Sequence, residues 1–361
     1  MKKEEKKLFE ELCSFKSKTF DKSLLEAATP TVLGYLFFNR MQGVAYGRLK
    51  KQNLLNEVNR EFRNSLKAAY DQNIKKNKAY SLCVKHISEI LSECNCKYAM
   101  LKGAYLFKCY PEGYRTSNDI DLLVHPQNVT EIGQILLKNG FKQGSIKNGM
   151  FIPATRMEII QSKMMRGETV PFIKEMNLPE MQFLEVDINF SLDYKPSETD
   201  LIVEMLKDSV VEKIGDLKIR TLNKENFFVH LCNHLYKEAT TLPWVTMNRD
   251  MTLYKYCDIY MLLNDISKED VELLFKYAKK IDMEKICAFA VIQASKLFKF
   301  ENVHAIDIAE SVLEHDPEFI HTVISPSDKK KYVFFEKDIS KRFFNNERIK
   351  LLKEGGYNEK T

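Results

Sequence analysis

Two aspartates separated by one residue, Asp119 and Asp121, lie in the alternating stretch Asp119–Val124. Successive side chains of a strand point to opposite faces, so this spacing places both carboxylates on one face and Ile120 and Leu122 on the other. Neighbouring carboxylates repel each other unless a cation lies between them, which suits a divalent metal ion. The alternative is a solvated strand edge, which an isolated Asp-x-Asp spacing favours.

A second alternating stretch, Phe183–Phe190, changes that balance because Glu185, Asp187 and Asn189 share one of its faces. If the two strands are neighbours in one sheet, their carboxylates converge above it. Such oxygen clusters hold one or two Mg²⁺ or Mn²⁺ ions, which bind a polyphosphate and polarise the phosphorus under attack. Asp187 could also accept the proton of an attacking hydroxyl group.

Upstream of these acids, Gly103 and Ala104 follow Lys102 at a predicted strand-to-helix junction. A glycine there lets a phosphate approach the backbone, and Lys102 could add a mobile positive charge. This signal is weak by itself, since any strand-turn-helix unit can contain a glycine. Arg115 could reach a phosphate or pair with a carboxylate, and the sequence favours neither.

Two histidines and two cysteines offer further ligand atoms. His230 and His234 are four residues apart, so on a helix they share a face, where a buried polar or packing role is favoured over a substrate or base contact. Cys94 and Cys96 lack a second close cysteine pair, which indicates a turn with incidental thiols rather than a zinc site.

The elements that must position these residues follow from hydrophobic periodicity. Three- and four-residue spacing predicts helices from Leu8 to about Cys94, and the stretches after it predict a strand, a helix, a strand and a helix: Tyr98–Leu101, Ala104–Tyr110, Asp119–Val124 and Val129–Asn139. Residues 141–182 show no firm period and are interpreted as loop with short elements.

Beyond the second acid-bearing strand, the polar segment Tyr194–Thr199 is the best candidate for a boundary between lobes. A hairpin is predicted over Val210–Arg220 around Gly215-Asp216, followed by amphipathic helices to about Leu352. The prediction is an α+β fold in which a small mixed β-sheet core, residues 96–195, is flanked by helical lobes at 1–95 and 196–361.

Composition favours some classes of protein over others. The 361 residues carry 55 Lys+Arg against 50 Asp+Glu, a net charge of only +5, so there is no strong signal for binding duplex DNA. The eight cysteines have no regular spacing, which favours reduced thiols in the cytoplasm. No window approaches the roughly 18 apolar residues of a membrane span, and no apolar segment of a signal peptide follows the amino terminus.

The motifs Leu101-Lys-Gly-Ala104, Tyr110-Pro111, Arg115 and Asp119-Ile-Asp-Leu-Leu-Val124 resemble those of the uncharacterised nucleotidyltransferase family. That family is a branch of the DNA polymerase β-like nucleotidyltransferase superfamily, and the resemblance extends from about Leu24 through the helix containing Asp258. It implies a polymerase β-like core in which Gly103 is the phosphate-binding glycine. It also implies that Asp119 and Asp121 are metal ligands and that Asp187 is the third carboxylate.

Two positions depart from the family pattern. Ala104 stands where the superfamily often has serine or glycine, and Asn189 stands where this family commonly has histidine. Neither change removes a predicted metal ligand. Glu185, Asn189, His230 and His234 are predicted as auxiliary residues only.

The resemblance and the carboxylates together predict transfer of a nucleoside monophosphate from an NTP to an acceptor, with release of pyrophosphate. The predicted cofactor is Mg²⁺ or Mn²⁺, and the acceptor could be a small molecule, a peptide, a protein or an RNA end. The alternatives are a nucleotide-binding or partner-binding protein with little turnover, and a structural scaffold that binds no nucleotide.

Overall fold

Helices dominate the beginning of the chain, in a computed structural model that describes residues 1–92, 94–107, 109–193, 201–215 and 217–355. The first four helices are α1 (Lys3–Cys13), α2 (Pro30–Phe38), α3 (Gln42–Lys51) and α4 (Arg60–Ile90). Helix α2 begins where Thr29 Oγ1 accepts a hydrogen bond from the Val32 amide and Pro30 occupies the first turn. The prediction of helices from Leu8 to about Cys94 is confirmed.

The chain separates into two compact units. One, called the helical unit, comprises Met1–Leu66 and Phe228–Thr361, and the other, called the sheet unit, comprises Lys67–Phe227. The three-part division at residues 95 and 195 stays a prediction, and its proposed boundary segment Tyr194–Thr199 lies outside the described residues.

The sheet unit contains eight strands, in the spatial order β4-β3-β5-β6-β2-β1-β8-β7. Strands β2 and β6 are parallel, as are β1 and β8, whereas the other neighbours are antiparallel. The predicted α+β class with a mixed sheet is therefore confirmed. In chain order the elements are β1 (Tyr98–Met100), α5 (Gly103–Leu106), β2 (Asp119–Val124), α6 (Val129–Lys138), β3 (Lys142–Lys147), β4 (Met150–Pro153), α7 (Arg156–Met165), β5 (Phe172–Leu178), β6 (Met181–Asn189), α8 (Leu201–Lys207), β7 (Val210–Ile214) and β8 (Leu217–Thr221).

The interpretation of residues 141–182 as loop with short elements was wrong. This stretch forms the β3–β4 hairpin, helix α7 and strand β5, and it makes the sheet larger than predicted. Strands β3 and β4 lie at one edge of the sheet and most of their side chains are at least partly exposed, so they carry little apolar alternation. The predicted hairpin over Val210–Arg220 is confirmed as β7 and β8, although Asp216 lies outside the described residues.

The core of the sheet unit lies on the face opposite the aspartates. Ile120, Leu122, Val186 and Ile188 are fully buried there, together with side chains of α4 and α6. Each such side chain contributes about 1.5–3 kcal/mol on leaving water. A register slip of one residue would bring the carboxylates into this core, so burial of the apolar face determines which face carries the acids.

The rest of the helical unit comprises seven helices and three short strands among the described residues. The helices are α9 (Lys224–Ala239), which begins in the sheet unit, α10 (Leu242–Thr246), α11 (Leu253–Leu263), α12 (Lys268–Lys280), α13 (Glu284–Ser295), α14 (Val303–Leu313) and α15 (Ile339–Phe343), and the strands are β9 (Thr322–Ile324), β10 (Lys331–Phe334) and β11 (Leu352–Glu354). The three strands form an antiparallel sheet, so the prediction of helices alone up to Leu352 was wrong. Strands of three or four residues are too short to show a reliable alternation.

None of the helices in the described part of the chain is both long and apolar enough to cross a membrane.

Candidate active site

Strands β2 and β6 lie side by side and bring the predicted acids together. In their parallel register Asp121 is opposite Asp187, and Asp119 is opposite Glu185. Because residues at alternate positions share a face, the four carboxylates lie on the side of the sheet away from its core. We call Asp119, Asp121, Glu185 and Asp187 the acid cluster.

The electrostatics of the acid cluster are those of crowded, partly buried carboxylates. Burial raises the pKa of Asp187 well above its usual range, and repulsion from Asp121 and Asp119 raises it further. Burial and repulsion from Asp121 also raise the pKa of Asp119. Burial and, to a smaller extent, repulsion from Asp119 raise the pKa of Glu185. The arrangement therefore favours binding of a cation, which would relieve this repulsion.

Lys102 supplies one positive charge to the cluster. Its Nζ lies 3.0 Å from Asp121 Oδ1, and both side chains are largely buried. Burial opposes its charge, but attraction by Asp121 and Asp119 outweighs burial and raises the pKa of Lys102. Its φ of +36° is rare for a residue other than glycine, and such backbone strain costs about 1–3 kcal/mol. The ion pair places Lys102 at the acids rather than in solvent.

Asn189 also contacts Asp121. Its Nδ2 is 3.4 Å from Asp121 Oδ1, so this one carboxylate oxygen accepts hydrogen bonds from both Lys102 and Asn189. The predicted auxiliary Asn189 thus lies within the cluster, where its amide donates to a carboxylate.

Gly103 has a packing requirement of its own. A Cβ at this position would lie 2.1 Å from Ser117 Oγ and 2.7 Å from Tyr80 Oη, both far inside contact distance. Tyr80 Oη in turn donates to the backbone carbonyl of Asp119 at 3.0 Å. Only glycine at position 103 lets the loop bearing Ser117 and the start of β2 come this close.

The turn around α5 uses most of its amides internally. Ala104 N–H donates to the carbonyl of Leu101, and the amides of Tyr105 and Leu106 donate to that of Lys102. Ala104 is fully buried. The role of Gly103 and Ala104 in holding phosphate stays a prediction, and these bonds leave the Gly103 amide as the better candidate donor.

Arg115 lies near Asp119 and is held by a hydrogen bond to Ser117. Its Nη1 donates to Ser117 Oγ at 3.1 Å, and its charge acts to lower the pKa of Asp119, against the larger effect of burial. The guanidinium group is therefore near both a carboxylate and a hydroxyl, and both sequence-based alternatives for Arg115, phosphate binding and carboxylate pairing, stay open.

Two residues near the cluster were missed by the sequence analysis. Ser117 brings a hydroxyl group to Gly103, in a region where Ala104 offers none. Glu168 adds a carboxylate whose charge raises the pKa of Asp187, because residues 167–169 run beside the end of β6. Ser117 could have been noticed from its place between Arg115 and Asp119, whereas Glu168 lies in the stretch without period.

Carboxylate oxygens are the ligands that Mg²⁺ and Mn²⁺ prefer, and the acid cluster offers them in excess of nearby cations. Asp119, Asp121 and Asp187 therefore fit a divalent ion in donor chemistry, and a bound cation would offset the burial and mutual repulsion that raise the pKa values of Asp119 and Asp187. In this structure Lys102 partly provides that charge.

The predicted histidine ligands are on another element. His230 and His234 lie on α9 within the helical unit, with ring centroids 6.5 Å apart, and His234 Nε2 is 3.4 Å from Glu238 Oε1. His230 is buried. An auxiliary role for these two histidines stays a prediction.

Cys94 and Cys96 have a neighbour that the sequence did not indicate. Their sulfur atoms and a carboxylate oxygen of Glu131, in the first turn of α6, all lie within 4.8 Å of one another. The Cys96 amide donates to Cys94 Sγ at 3.2 Å. The pair therefore belongs to a three-residue cluster rather than to a turn alone.

Comparison with known proteins identifies a family. The family described as "uncharacterised nucleotidyltransferase" matches residues 27–299. Among solved structures, an antigenic nucleotidyltransferase-like protein from Paracoccidioides brasiliensis is similar at 15% identity and a TM-score of 0.31, over 59% of this chain and 92% of that one. No curated protein matches this chain.

Proposed function

Because the chain belongs to the uncharacterised nucleotidyltransferase family, we propose that it transfers a nucleoside monophosphate from an NTP to an acceptor and releases pyrophosphate. The observation that carries the proposal is the parallel register of β2 and β6, which sets Asp121 opposite Asp187 and leaves Asp119 on the same face. Phosphoryl transfer depends mainly on positioning and charge neutralisation, and this arrangement would provide both by holding a divalent ion.

Asp119, Asp121 and Asp187 are the residues that would hold Mg²⁺ or Mn²⁺. A bound divalent ion would neutralise the triphosphate and polarise the phosphorus that is attacked. An acceptor hydroxyl oxygen forms a bond to the α-phosphorus while the bond to the bridging oxygen of pyrophosphate breaks. The hydroxyl proton goes to the Asp187 carboxylate.

Lys102, Arg115 and Gly103 would bind the triphosphate. Lys102 already forms an ion pair with Asp121. When a divalent ion occupies the acid cluster, Lys102 can leave Asp121 and pair with a phosphate oxygen instead. Arg115 and Ser117 are joined by a hydrogen bond and lie beside Gly103, so they offer a guanidinium group and a hydroxyl to the same anion. Ser117 would then provide the hydroxyl that Ala104 lacks.

A second candidate is a nucleotide-binding protein with little turnover. The Lys102–Asp121 ion pair favours it, because an ammonium group at the acids competes with a metal ion for the same carboxylate. The internally bonded amides of α5 favour it as well. In that case NTP binding would be measurable without transfer to any acceptor.

The partners and location are part of the proposal. The substrate is an NTP, and the acceptor is a small hydroxylated molecule, a peptide, a protein or an RNA end, acting in the cytoplasm. A library of such acceptors, each incubated with labelled NTPs, tests this range directly.

The deciding experiment measures pyrophosphate release from each NTP with Mg²⁺ or Mn²⁺ in the presence of candidate acceptors. Wild type is compared with Asp119→Asn/Asp121→Asn and with Asp208→Asn, which makes the same chemical change at an exposed turn. We expect release by wild type and Asp208→Asn and loss in the double variant. Release that survives the double substitution would exclude this site, and metal-dependent NTP binding without release would establish the second candidate.

A further inference from the structure

Three side chains with metal-binding atoms meet at one place in the sheet unit, apart from the acid cluster. The sulfur atoms of Cys94 and Cys96 and a carboxylate oxygen of Glu131 all lie within 4.8 Å of one another. The two cysteines lie between α4 and β1, and Glu131 is in the first turn of α6. All three residues belong to the sheet unit, and we call them the thiol cluster.

The backbone before β1 holds the two thiols side by side. The Cys96 amide donates to Cys94 Sγ at 3.2 Å, which directs that sulfur toward residue 96. Cys96 is 5% exposed and packs with the core of the sheet unit, whereas Cys94 is partly exposed. Both cysteines are free thiols, so the pair is available to a ligand.

Glu131 reaches the thiols from a different element. Its side chain is exposed, and among the described residues it forms no ion pair with a lysine or an arginine. The helix dipole favours an acid in the first turn of α6, but it does not account for two thiols beside that acid. The combination of two sulfur ligands and one oxygen ligand therefore points to a metal ion.

The spacing of the three ligand atoms suits a single small ion. A point between three atoms that are at most 4.8 Å apart lies within about 2.8 Å of each of them. Zinc lies about 2.3 Å from a thiolate sulfur and about 2.0–2.2 Å from a carboxylate oxygen, so the ligand atoms need to close by roughly half an ångström. The partly exposed Cys94 and the exposed Glu131 have the freedom to make this adjustment.

The mixture of donor atoms selects among metals. Magnesium, calcium and manganese prefer sites made of oxygen ligands, and copper(I) prefers sites made of sulfur ligands. Zinc accepts both thiolate and carboxylate ligands in a tetrahedral arrangement. Three protein ligands leave its fourth position to water, which the exposed side of Glu131 can admit.

Arg220 places positive charge near the thiol cluster. Its guanidinium lies 5.6 Å from the ring centroid of Tyr98. Burial raises the pKa of Tyr98, and Arg220 acts against that rise whereas Cys94 adds to it, so both groups lie near the Tyr98 hydroxyl. Two thiolates and a carboxylate carry one negative charge more than zinc neutralises, and Arg220 can offset that excess.

We propose that Cys94, Cys96 and Glu131 bind one Zn²⁺ ion, with water as the fourth ligand. Each thiol becomes a thiolate ligand by releasing its proton to solvent as the ion binds. The bound ion would link the start of β1 to the start of α6 and so stabilise the sheet unit, whether or not the chain transfers nucleotides.

The test is a titration of the reduced, metal-free full chain with Co²⁺, followed by competition with Zn²⁺. Excess Mg²⁺ occupies the acid cluster, and absorption from sulfur-to-cobalt charge transfer reports thiolate ligation alone. We expect one Co²⁺ per chain with this absorption, and its replacement by Zn²⁺. Competition with a coloured chelator then gives the Zn²⁺ affinity.

Variants of each ligand have matched controls. Cys94→Ser and Cys96→Ser should each weaken Zn²⁺ binding at least about 100-fold, since loss of an outer-shell partner alone costs about 10–100-fold. Cys109→Ser, at a partly exposed cysteine outside the cluster, should bind like wild type.

Two further variants test the oxygen ligand and the independence of the site. Glu131→Gln should weaken Zn²⁺ binding about tenfold or more, whereas Glu314→Gln makes the same change at an exposed residue of the helical unit and should have no effect. Asp121→Asn changes the acid cluster only, so its Zn²⁺ affinity should equal that of wild type even if the chain has no transferase activity.

The proposal is overturned by any of three results. These are the absence of charge-transfer absorption in wild type, unchanged Zn²⁺ affinity in Cys94→Ser, and unchanged Zn²⁺ affinity in Glu131→Gln. Cys94 and Glu131 are not buried, so both variants should fold. The wild-type titration tests the proposal even if the buried Cys96→Ser variant does not fold.

Discussion

The acid cluster of the sheet unit and Arg342 of the helical unit bring charges of opposite sign into the protein interior. In the first, several carboxylates outnumber the cations, and burial with mutual repulsion raises the pKa of Asp187. In the helical unit Arg342 is buried, and burial lowers its pKa to about 10 against the opposing effect of Tyr256 and nearby acids. Burial thus shifts both pKa values toward the neutral form of the group, since a charge is costly to remove from water.

The two regions also differ in how they are built. The acids come from alternate positions of two neighbouring strands, so regular geometry holds them in register. Arg342 and Gln293 come from different helices, α15 and α13, and tertiary packing alone places both beside one small cavity. The difference teaches that a site on a regular element can be detected from sequence spacing, whereas a site assembled between short elements cannot.

The largest expected effect is on turnover. Asp187→Asn should lower the rate of pyrophosphate release by about 10²–10⁴-fold, because it removes a proton acceptor and a metal ligand together. Initial rates at saturating NTP measure this. Asp208→Asn serves as the control, because it makes the same chemical change at an exposed turn, and it should leave the rate unchanged. An equal loss in both variants would exclude a specific role for Asp187.

The next effect is the response of the acid cluster to pH in the metal-free protein. In the folded chain Asp187 keeps its proton at pH values above the usual pKa of 3.8. The stability that this protonated carboxyl contributes to the fold is therefore fully present below pH 3.8. It is lost as the pH rises through the raised pKa. Chemical unfolding at several pH values in EDTA measures this slope, and we expect Asp187→Asn or added Mg²⁺ to reduce it.

The helical unit should respond to pH in the opposite direction. Burial and repulsion from Arg342 lower the pKa of His321 from 6.5 to about 4 in the folded chain, so the unfolded chain takes up a proton first on acidification. Stability is therefore present above pH 6.5 and lost as the pH falls toward 4. His321→Gln should flatten the free energy of unfolding over this interval, and an unchanged slope would exclude His321 as the cause.

The smallest effect concerns the packing that supports the acid cluster. Gly103→Ala places a methyl group against Ser117 and Tyr80, and overpacking of this kind costs about 1–3 kcal/mol. The matched control is Gly34→Ala in α2, where a Cβ meets nothing within 4 Å and should stabilise by up to about 1 kcal/mol. Urea denaturation compares the two, and equal effects would contradict the close approach at Gly103.

Sequence periodicity predicted strand β2 with its observed bounds and β6 to within two residues at each end. It did so because both strands place apolar side chains in a core at alternate positions, with carboxylates between them, which leaves a period of two. Strands β3 and β4, at one side of the sheet, bury few side chains on either face and so show no such period. The short strands of the helical unit were not predicted for a related reason, since three or four residues contain too few alternations to show a period of two.

By itself, the sequence determined the chemistry of the acid cluster: which residue types it contains, which face of each strand carries them and which family the motifs resemble. Only the tertiary structure decided that Asp121 lies opposite Asp187, that Lys102 pairs with Asp121 and that Glu168 adds a further carboxylate. It alone brought Glu131 to Cys94 and Cys96. The physical reason is that spacing along a strand sets local direction, whereas contacts between distant residues depend on how the whole core packs.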